Sequence, residues 1–493
     1  MFACVTSAAL VGVEPRPVRV EAHVSGAESD RDRFNIVGLP DASIREARQR
    51  VQSAILSAGH RFPSRRVTVN LAPADLPKVG SAYDLPIALG VLAASGAVPS
   101  SVTRVVALGE LALDGSVRAA RGGLAAGIVA GRHGVPCIVA ADGGTEAALS
   151  GADVRGVTSL AHAVAVGLGE DPGLASPTRP NPEQIPAGLD LAAVRGQAMA
   201  RRAVEIAAAG GHHLLLVGPP GAGKTMLARA LPGILPDLTT VEALEVAQAH
   251  AAAGRGPAVG SRPPFRSPHH SATPAAILGG GSGVPVPGEL TLADRGVLFL
   301  DELAEFPTHL LDTLRQPVEE GRVHIARKGV SVAFPCRVQM VAATNPCPCG
   351  YRDDSRTPCV CTPRTVDRYR TRLSGPLLDR FDMRVMVPRV EAAELIGKGG
   401  EGSQSVRQRV TAARRLQEAR GSLNRALGRE ALDALPWSRG ADECLVEAMD
   451  RHALTGRGWD RVRRTARTIA DLAAEEVASD AHVLEALGLR RVL

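Results

Sequence analysis

HHLLLVGPPGAGKTMLARAL, residues 212–231, decides the fold. Four apolar residues, Leu214 to Val217, make a short strand that can be buried on both faces. The loop after it reads Gly218-Pro219-Pro220-Gly221-Ala222-Gly223-Lys224-Thr225, and a helical pattern follows. A strand, then G-x-x-x-x-G-K-[ST], then a helix is the arrangement that wraps phosphate. The glycines let successive backbone N–H groups turn inward around phosphate oxygens, and the helix N-terminus adds the positive end of its dipole. Lys224 is placed to neutralise β/γ-phosphate charge, and the Thr225 hydroxyl to ligate Mg²⁺.

Three downstream stretches complete an α/β nucleotide site. GVLFLDELAEF (296–306) is a buried strand delivering Asp301 and Glu302 at its C-terminal edge, where α/β sheets hold their ligands. Asp301 suits the Mg²⁺ shell, and Glu302 suits orienting and polarising the attacking water. VQMVAATN (338–345) ends in Asn345, which either positions water near the γ-phosphate or turns the chain before Pro346. SGPLLDRFDMRV (374–385) places Arg380 just after a short helix pattern. That residue is either an arginine supplied across a subunit boundary to a γ-phosphate or a surface arginine paired with Asp379 or Asp382.

The 493 residues are 45% hydrophobic and 22% charged, too apolar for a disordered chain and enough for several domains. No apolar stretch is long enough to cross a bilayer, and no basic residue precedes the mildly apolar N-terminal segment. A cytoplasmic protein without a membrane partner is therefore expected. A net charge of +6 permits an anionic partner without demanding one. Of the 57 basic residues only Lys78, Lys224, Lys328 and Lys398 are lysine, so a retained lysine marks a position to inspect. Residues 1–168 alternate strand and helix patterns, 169–187 read as a Pro-rich linker, 188–392 form the α/β stretch, and 393–493 are helical.

GRVHIARKGVSVAF (321–334) alternates, turns at Lys328-Gly329 and alternates again, a hairpin with Arg327 and Lys328 at its tip. Such a tip either tracks a phosphate backbone or is only solvated. Cys347, Cys349, Cys359 and Cys361 are spaced for a tetrahedral structural Zn²⁺; the alternative is four reduced thiols in a redox-sensitive loop. His269-His270, in a Gly/Pro-rich insert, is a weaker metal pair.

Taken together, the chain resembles the YifB/ComM family of magnesium-chelatase-like AAA+ ATPases. The resemblance lies in FRSPHHSATPAAILGGG (265–281), PGELTLADRGVLFLDELAEF (287–306), LRQPVEEGRVHIARKGV (314–330), ATNPCPCG (343–350) and SGPLLDRFD (374–382). It extends to NIVGLPDASIREARQRVQSAI (35–55), VNLAPADLPKVGSAYDLPIALG (69–90) and RTARTIADL (464–472). It implies a P-loop AAA+ module, an N-terminal Lon-protease-like (ribosomal S5 domain 2-like) α+β domain and a C-terminal helical lid. It also implies ATP with Mg²⁺, a homo-hexameric ring, and single-stranded or branched DNA as partner, with helicase or branch-migration action in recombination or natural transformation. Val194 and Gln197 match the segment that lies against adenine, and Arg457 the sensor 2 arginine of the lid, with Arg461 as the other choice. The hairpin resembles the pore hairpin of replicative helicases, and the 259–285 insert is a candidate second pore loop.

The alternatives are a magnesium-chelatase-type motor subunit and a protein-remodelling AAA+ ATPase. The Lon-like resemblance also raises peptidase activity. Ala82 stands at the nucleophile position, with Ser81 one residue early, and Gly122-Gly123-Leu124 is followed by Ala125 instead of Lys. A Ser–Lys dyad needs both members, so an inactive assembly or DNA-binding module is expected.

Overall fold

The computed structural model describes residues 1–28, 34–38, 42–76, 78, 80–175, 188–256, 260–281, 285–327, 330–352, 354, 356–373, 375–396, 399–452 and 454–490. Its N-terminal part contains strands β1 (Phe2–Val11), β2 (Glu14–Glu28), β3 (Phe34–Val37), β4 (Arg65–Ala72), β5 (Val106–Leu108), β6 (Glu110–Leu111), β7 (Val117–Arg118), β8 (Cys137–Ala140), β9 (Val154–Val157) and β10 (Leu174–Ala175). Helices α1 (Ala42–Ser57), α2 (Asp84–Ser95), α3 (Gly123–His133), α4 (Gly144–Ala148) and α5 (Leu160–Leu168) pack around them. Eight of these strands form a mixed sheet in the order β10-β9-β8-β5-β1-β2-β4-β3.

The long β1–β2 pair is not announced by the sequence pattern, because Pro15 and Pro17 interrupt β2. Both prolines pair with β1, opposite Leu10 and Ala8, but β4 joins β2 only from Arg19 onward. Where they sit, β2 lacks β4 as a second partner, so the missing N–H groups break no bond to that strand.

The central part holds a five-stranded sheet, all parallel, built from β11 (Leu214–Val217), β12 (Phe265–Arg266), β15 (Val297–Leu300), β18 (Gln339–Thr344) and β19 (Met383–Met386) in the order β12-β15-β18-β11-β19. Two small hairpins stand outside it, β13 (Gly279–Gly280) with β14 (Val286–Pro287) and β16 (Arg322–Arg327) with β17 (Val330–Pro335). The helices here are α6 (Ala198–Gly210), α7 (Lys224–Ile234), α8 (Thr240–Ala252), α9 (Pro274–Leu278), α10 (Glu289–Leu292), α11 (Thr308–Glu320), α12 (Pro363–Arg372), α13 (Gly375–Leu378) and α14 (Ala392–Ile396). The C-terminal part is helical: α15 (Ser403–Ala419), α16 (Arg429–Asp433), α17 (Arg439–His452), α18 (Gly456–Leu472) and α19 (Asp480–Gly488).

Alternate residues of each buried strand feed two cores, as period-2 geometry requires. Leu214, Leu216, Phe299 and Val341 face α6, α7 and the C-terminal helices. Leu215, Val217, Leu300 and Ala342 face α11 and the β16–β17 hairpin. Val11 and Val13, at the β1–β2 turn, pack onto that second core beside Val332 and Phe334. Leu124 and Ile128 of α3 meet Ala247 of α8. Among the described residues, no helix is long and apolar enough to cross a membrane.

Part of the expected linker (176–187) lies outside the described residues, as do Lys328 and Gly329 of the hairpin tip. Arg327 is placed by its backbone, opposite Val330 at the end of the ladder.

Candidate nucleotide site

β11 lies between β18 and β19, so the loop after it emerges at the sheet's C-terminal edge flanked by a strand on either side. Gly218 passes so close to the residue after β19 that a Cβ there would lie 2.1 Å from the Val387 carbonyl oxygen, which excludes every other residue. Lys224 opens α7 and is buried. Its ammonium donates to the carbonyl oxygens of Gly218 at 2.6 Å and Pro219 at 2.9 Å, and to Asn345 Oδ1 at 3.1 Å. The Thr225 hydroxyl donates to Asp301 Oδ2 at 2.9 Å. Pro220 to Met226, Asp301, Glu302 and Ala343 to Asn345 line one cavity of about 420 Å³. A hydroxyl and a carboxylate at hydrogen-bond distance offer the oxygen ligands a hard divalent cation takes. Turned inward with the glycine loop, the Lys224 cation fits a triphosphate.

Burial lowers the Lys224 pKa to about 8, against the opposing pull of Asp301 and Glu302. A phosphate ligand favours the charged form, so binding raises that pKa and takes up a proton wherever the free site has lost one. Nucleotide affinity is therefore expected to be flat below pH 7 and to fall above about pH 8, approaching tenfold per pH unit. A binding isotherm series from pH 6.5 to 9.5 checks this; affinity constant to pH 9.5 contradicts it.

Glu302 adopts a left-handed conformation, φ 53°, uncommon for a non-glycine residue and typical of functional sites. Its exposed carboxylate lies 3.5 Å from His270 Nδ1, whose ring stands 4.0 Å from that of His269. The histidine pair thus meets a site carboxylate, and among the described residues it joins no cluster of three or more potential metal ligands. Val194 is buried, and Gln197 Nε2 donates to the Ala222 carbonyl at 3.0 Å and to that of Pro388.

A second polar cavity, also about 420 Å³, lies elsewhere and is lined by Arg380, Arg425, Arg461, Arg464, His213 and Asp382 among others. Its Asp382 N–H and His213 carbonyl are joined at the N-terminal ends of β11 and β19. The phosphate loop leaves the other end of β11, about 13 Å away along a four-residue strand. Arg380 donates to Glu319 at 2.5 Å; Asp379 instead accepts from Arg384, and Asp382 lies 3.7 Å from Arg461. Burial pushes the Asp382 carboxyl up, but the His212 ring, 3.6 Å away, and the surrounding positive charge outweigh that and hold it far below its usual range. Arg461 is buried with Nη1 unpartnered, and Arg380 Nε is unpartnered too. Arg457, one turn earlier on α18, is exposed and absent from this cavity's lining. Its position alone could not separate it from Arg461, because both arginines fall near the start of one helix.

The four cysteines of the 347–361 loop converge, with all four sulfurs within 4.8 Å of one another and no disulfide among them. In the N-terminal part, Ser81 Oγ donates to Glu110, and Lys78 is buried with its ammonium donating to the carbonyls of Gly38 (3.4 Å) and Pro73.

Family models match almost end to end: magnesium chelatase, subunit ChlI, over residues 190–395; subunit ChlI of Mg-chelatase over 20–143; and the ChlI C-terminal model over 400–490. The uncharacterized protein YifB of Salmonella typhimurium is 41% identical over 499 residues, covering 100% of this chain and 97% of that protein. The competence protein ComM of Haemophilus influenzae is 40% identical over 504 residues, covering 100% and 98%. A probable DNA helicase MCM9 of Oryza sativa is 28% identical over 171 residues, 35% of this chain and 21% of that protein.

Proposed function

The chain belongs to the YifB/ComM family of magnesium-chelatase-like AAA+ ATPases, and from that membership we propose a cytoplasmic, ring-forming DNA motor. It assembles as a hexamer and couples ATP hydrolysis to helicase or branch-migration movement on single-stranded and branched DNA, in homologous recombination or natural transformation. One observation carries the reading: the phosphate loop and the Arg380–Arg461 cavity lie at opposite ends of the same strands. Those arginines cannot serve their own chain's nucleotide, whereas a closed ring presents them to the neighbour's.

At each seam Lys224 and the loop N–H groups bind the triphosphate, with Val194 and Gln197 beside the base. Thr225 and Asp301 hold Mg²⁺, which neutralises phosphate charge when bound. Glu302 leaves His270 to orient the attacking water, Asn345 fixes that water's position, and Arg380 and Arg461 of the next copy stabilise charge spreading over the equatorial oxygens. Arg461 takes the sensor role in preference to Arg457, because it shares the cavity of Arg380. Residues 188–392 form the motor and 393–493 its lid. Residues 1–168 form a Lon-like assembly or DNA-binding module without peptidase chemistry. Zinc on Cys347, Cys349, Cys359 and Cys361 is the structural cofactor.

DNA as the polymer is supported by the basic hairpin and by the names of the relatives ComM and MCM9. Six hairpin tips around a channel would follow phosphates without reading sequence. Single-stranded DNA should raise ATP turnover several-fold. Arg327→Ala with Lys328→Ala should abolish that response and flatten the salt dependence of DNA binding by about 1–2 in log–log slope. Unchanged DNA affinity overturns the hairpin's role. Turnover raised by unfolded protein and not by DNA overturns the DNA motor in favour of protein remodelling.

A further inference from the structure

We propose that the metal on the cysteine quartet sets the shape of the phosphate pocket, so that nucleotide affinity depends on zinc occupancy. The inference rests on reading the quartet as a zinc site. Cys347, Cys349 and Cys359 have sulfur–sulfur distances of 3.4, 3.5 and 3.7 Å. A Zn–S bond of about 2.3 Å gives a tetrahedron with edges of about 3.8 Å, so the cage already has the size of the ion. The Cys349 N–H donates to Cys361 Sγ at 3.4 Å, the kind of outer contact that orients a thiolate ligand and offsets its charge.

The cage is built into the nucleotide site. Cys347 is fully buried and follows Asn345 by two residues, and Asn345 accepts from Lys224. The turn through the quartet closes with the Gly350 N–H donating to the Cys347 carbonyl at 2.9 Å. Gly350 itself has φ +84°, and a Cβ on it would stand 2.5 Å from Pro220 Cδ, with Asn345 Cγ at 3.7 Å. The backbone of the thiol loop thus packs against the Pro220 ring of the phosphate loop, with no room for a side chain between them. On its exit side, the loop runs from Cys361 directly into α12, whose Tyr369 hydroxyl is 3.2 Å from Thr344 Oγ1, beside Asn345. The metal would hold together a segment that packs against both Asn345 and Pro220. Thiol–thiol contacts are weak and would not hold it alone.

The test uses the full-length chain, with zinc content and the affinity for a fluorescent ATP analogue measured together. About one zinc per chain is expected; Cys359→Ser with Cys361→Ser should lose it and bind nucleotide at least about tenfold more weakly. Gly350→Ala should keep zinc yet weaken nucleotide binding in the same direction, because its Cβ displaces Pro220. Stripping wild type with a chelator should lower the affinity, and adding zinc back should restore it, which covers the case in which the cysteine variant fails to fold. Zinc present in wild type with affinity unchanged on stripping overturns the coupling and leaves the zinc site standing. Gly350→Ala with zinc and affinity both intact overturns the contact route. No zinc in wild type removes the site and the coupling together.

Discussion

Arg380→Ala will lower ATP turnover by the assembled protein about 10³-fold or more while leaving nucleotide affinity nearly unchanged. The split follows from the geometry. Arg380 is absent from the lining of its own chain's phosphate cavity, so Lys224, Thr225 and the loop N–H groups stay in place when it is removed. On the proposed role, what is lost is a cation aimed at charge that grows only in the transition state, and such losses fall on kcat and spare ground-state binding. Arg380 is largely buried and pairs with the exposed Glu319, a contact that a neighbour's phosphate would have to replace. Arg380→Lys should recover only part of the rate, because a point charge does not reproduce the guanidinium fork. Turnover at saturating ATP beside analogue affinity decides the matter; equal losses in both contradict the role.

Glu302→Gln will lower turnover by about 10²–10⁴-fold and leave ATP bound in its intact form. The amide keeps the shape of the carboxylate but cannot take up a proton from the attacking water. The neighbouring Thr225–Asp301 contact is independent of it, so binding of nucleotide and Mg²⁺ should persist. Single-turnover quench with radiolabelled ATP reads the trapped species directly. Rapid release of ADP by this variant contradicts the assignment of Glu302 to the water.

How far these sites could be read from the sequence follows from how local each one is. The phosphate loop, the strand ending in Asp301-Glu302 and the β16–β17 ladder are each written within about a dozen consecutive residues, where strand period and turn chemistry suffice. The His270–Glu302 contact joins an irregular loop to a residue in a left-handed conformation, and no periodicity reports either. Glu319 lies 61 residues from Arg380, and only the packing of α11 beside α13 brings them together. The cysteine spacing suggests a metal, but the touch of Gly350 on Pro220 is tertiary and has no local signature. The β1–β2 pair was obscured for the opposite reason: its prolines are local signals against a strand, tolerated because of where β4 ends.

In the proposed mechanism each nucleotide pocket is assembled from two copies of the chain. Arg380→Ala chains keep an intact pocket, and Glu302→Gln chains keep an intact arginine. Each alone should be nearly inactive, while a one-to-one mixture of the two should recover about a quarter of wild-type turnover if the seams act independently. A mixture as inactive as its components would contradict the shared pocket.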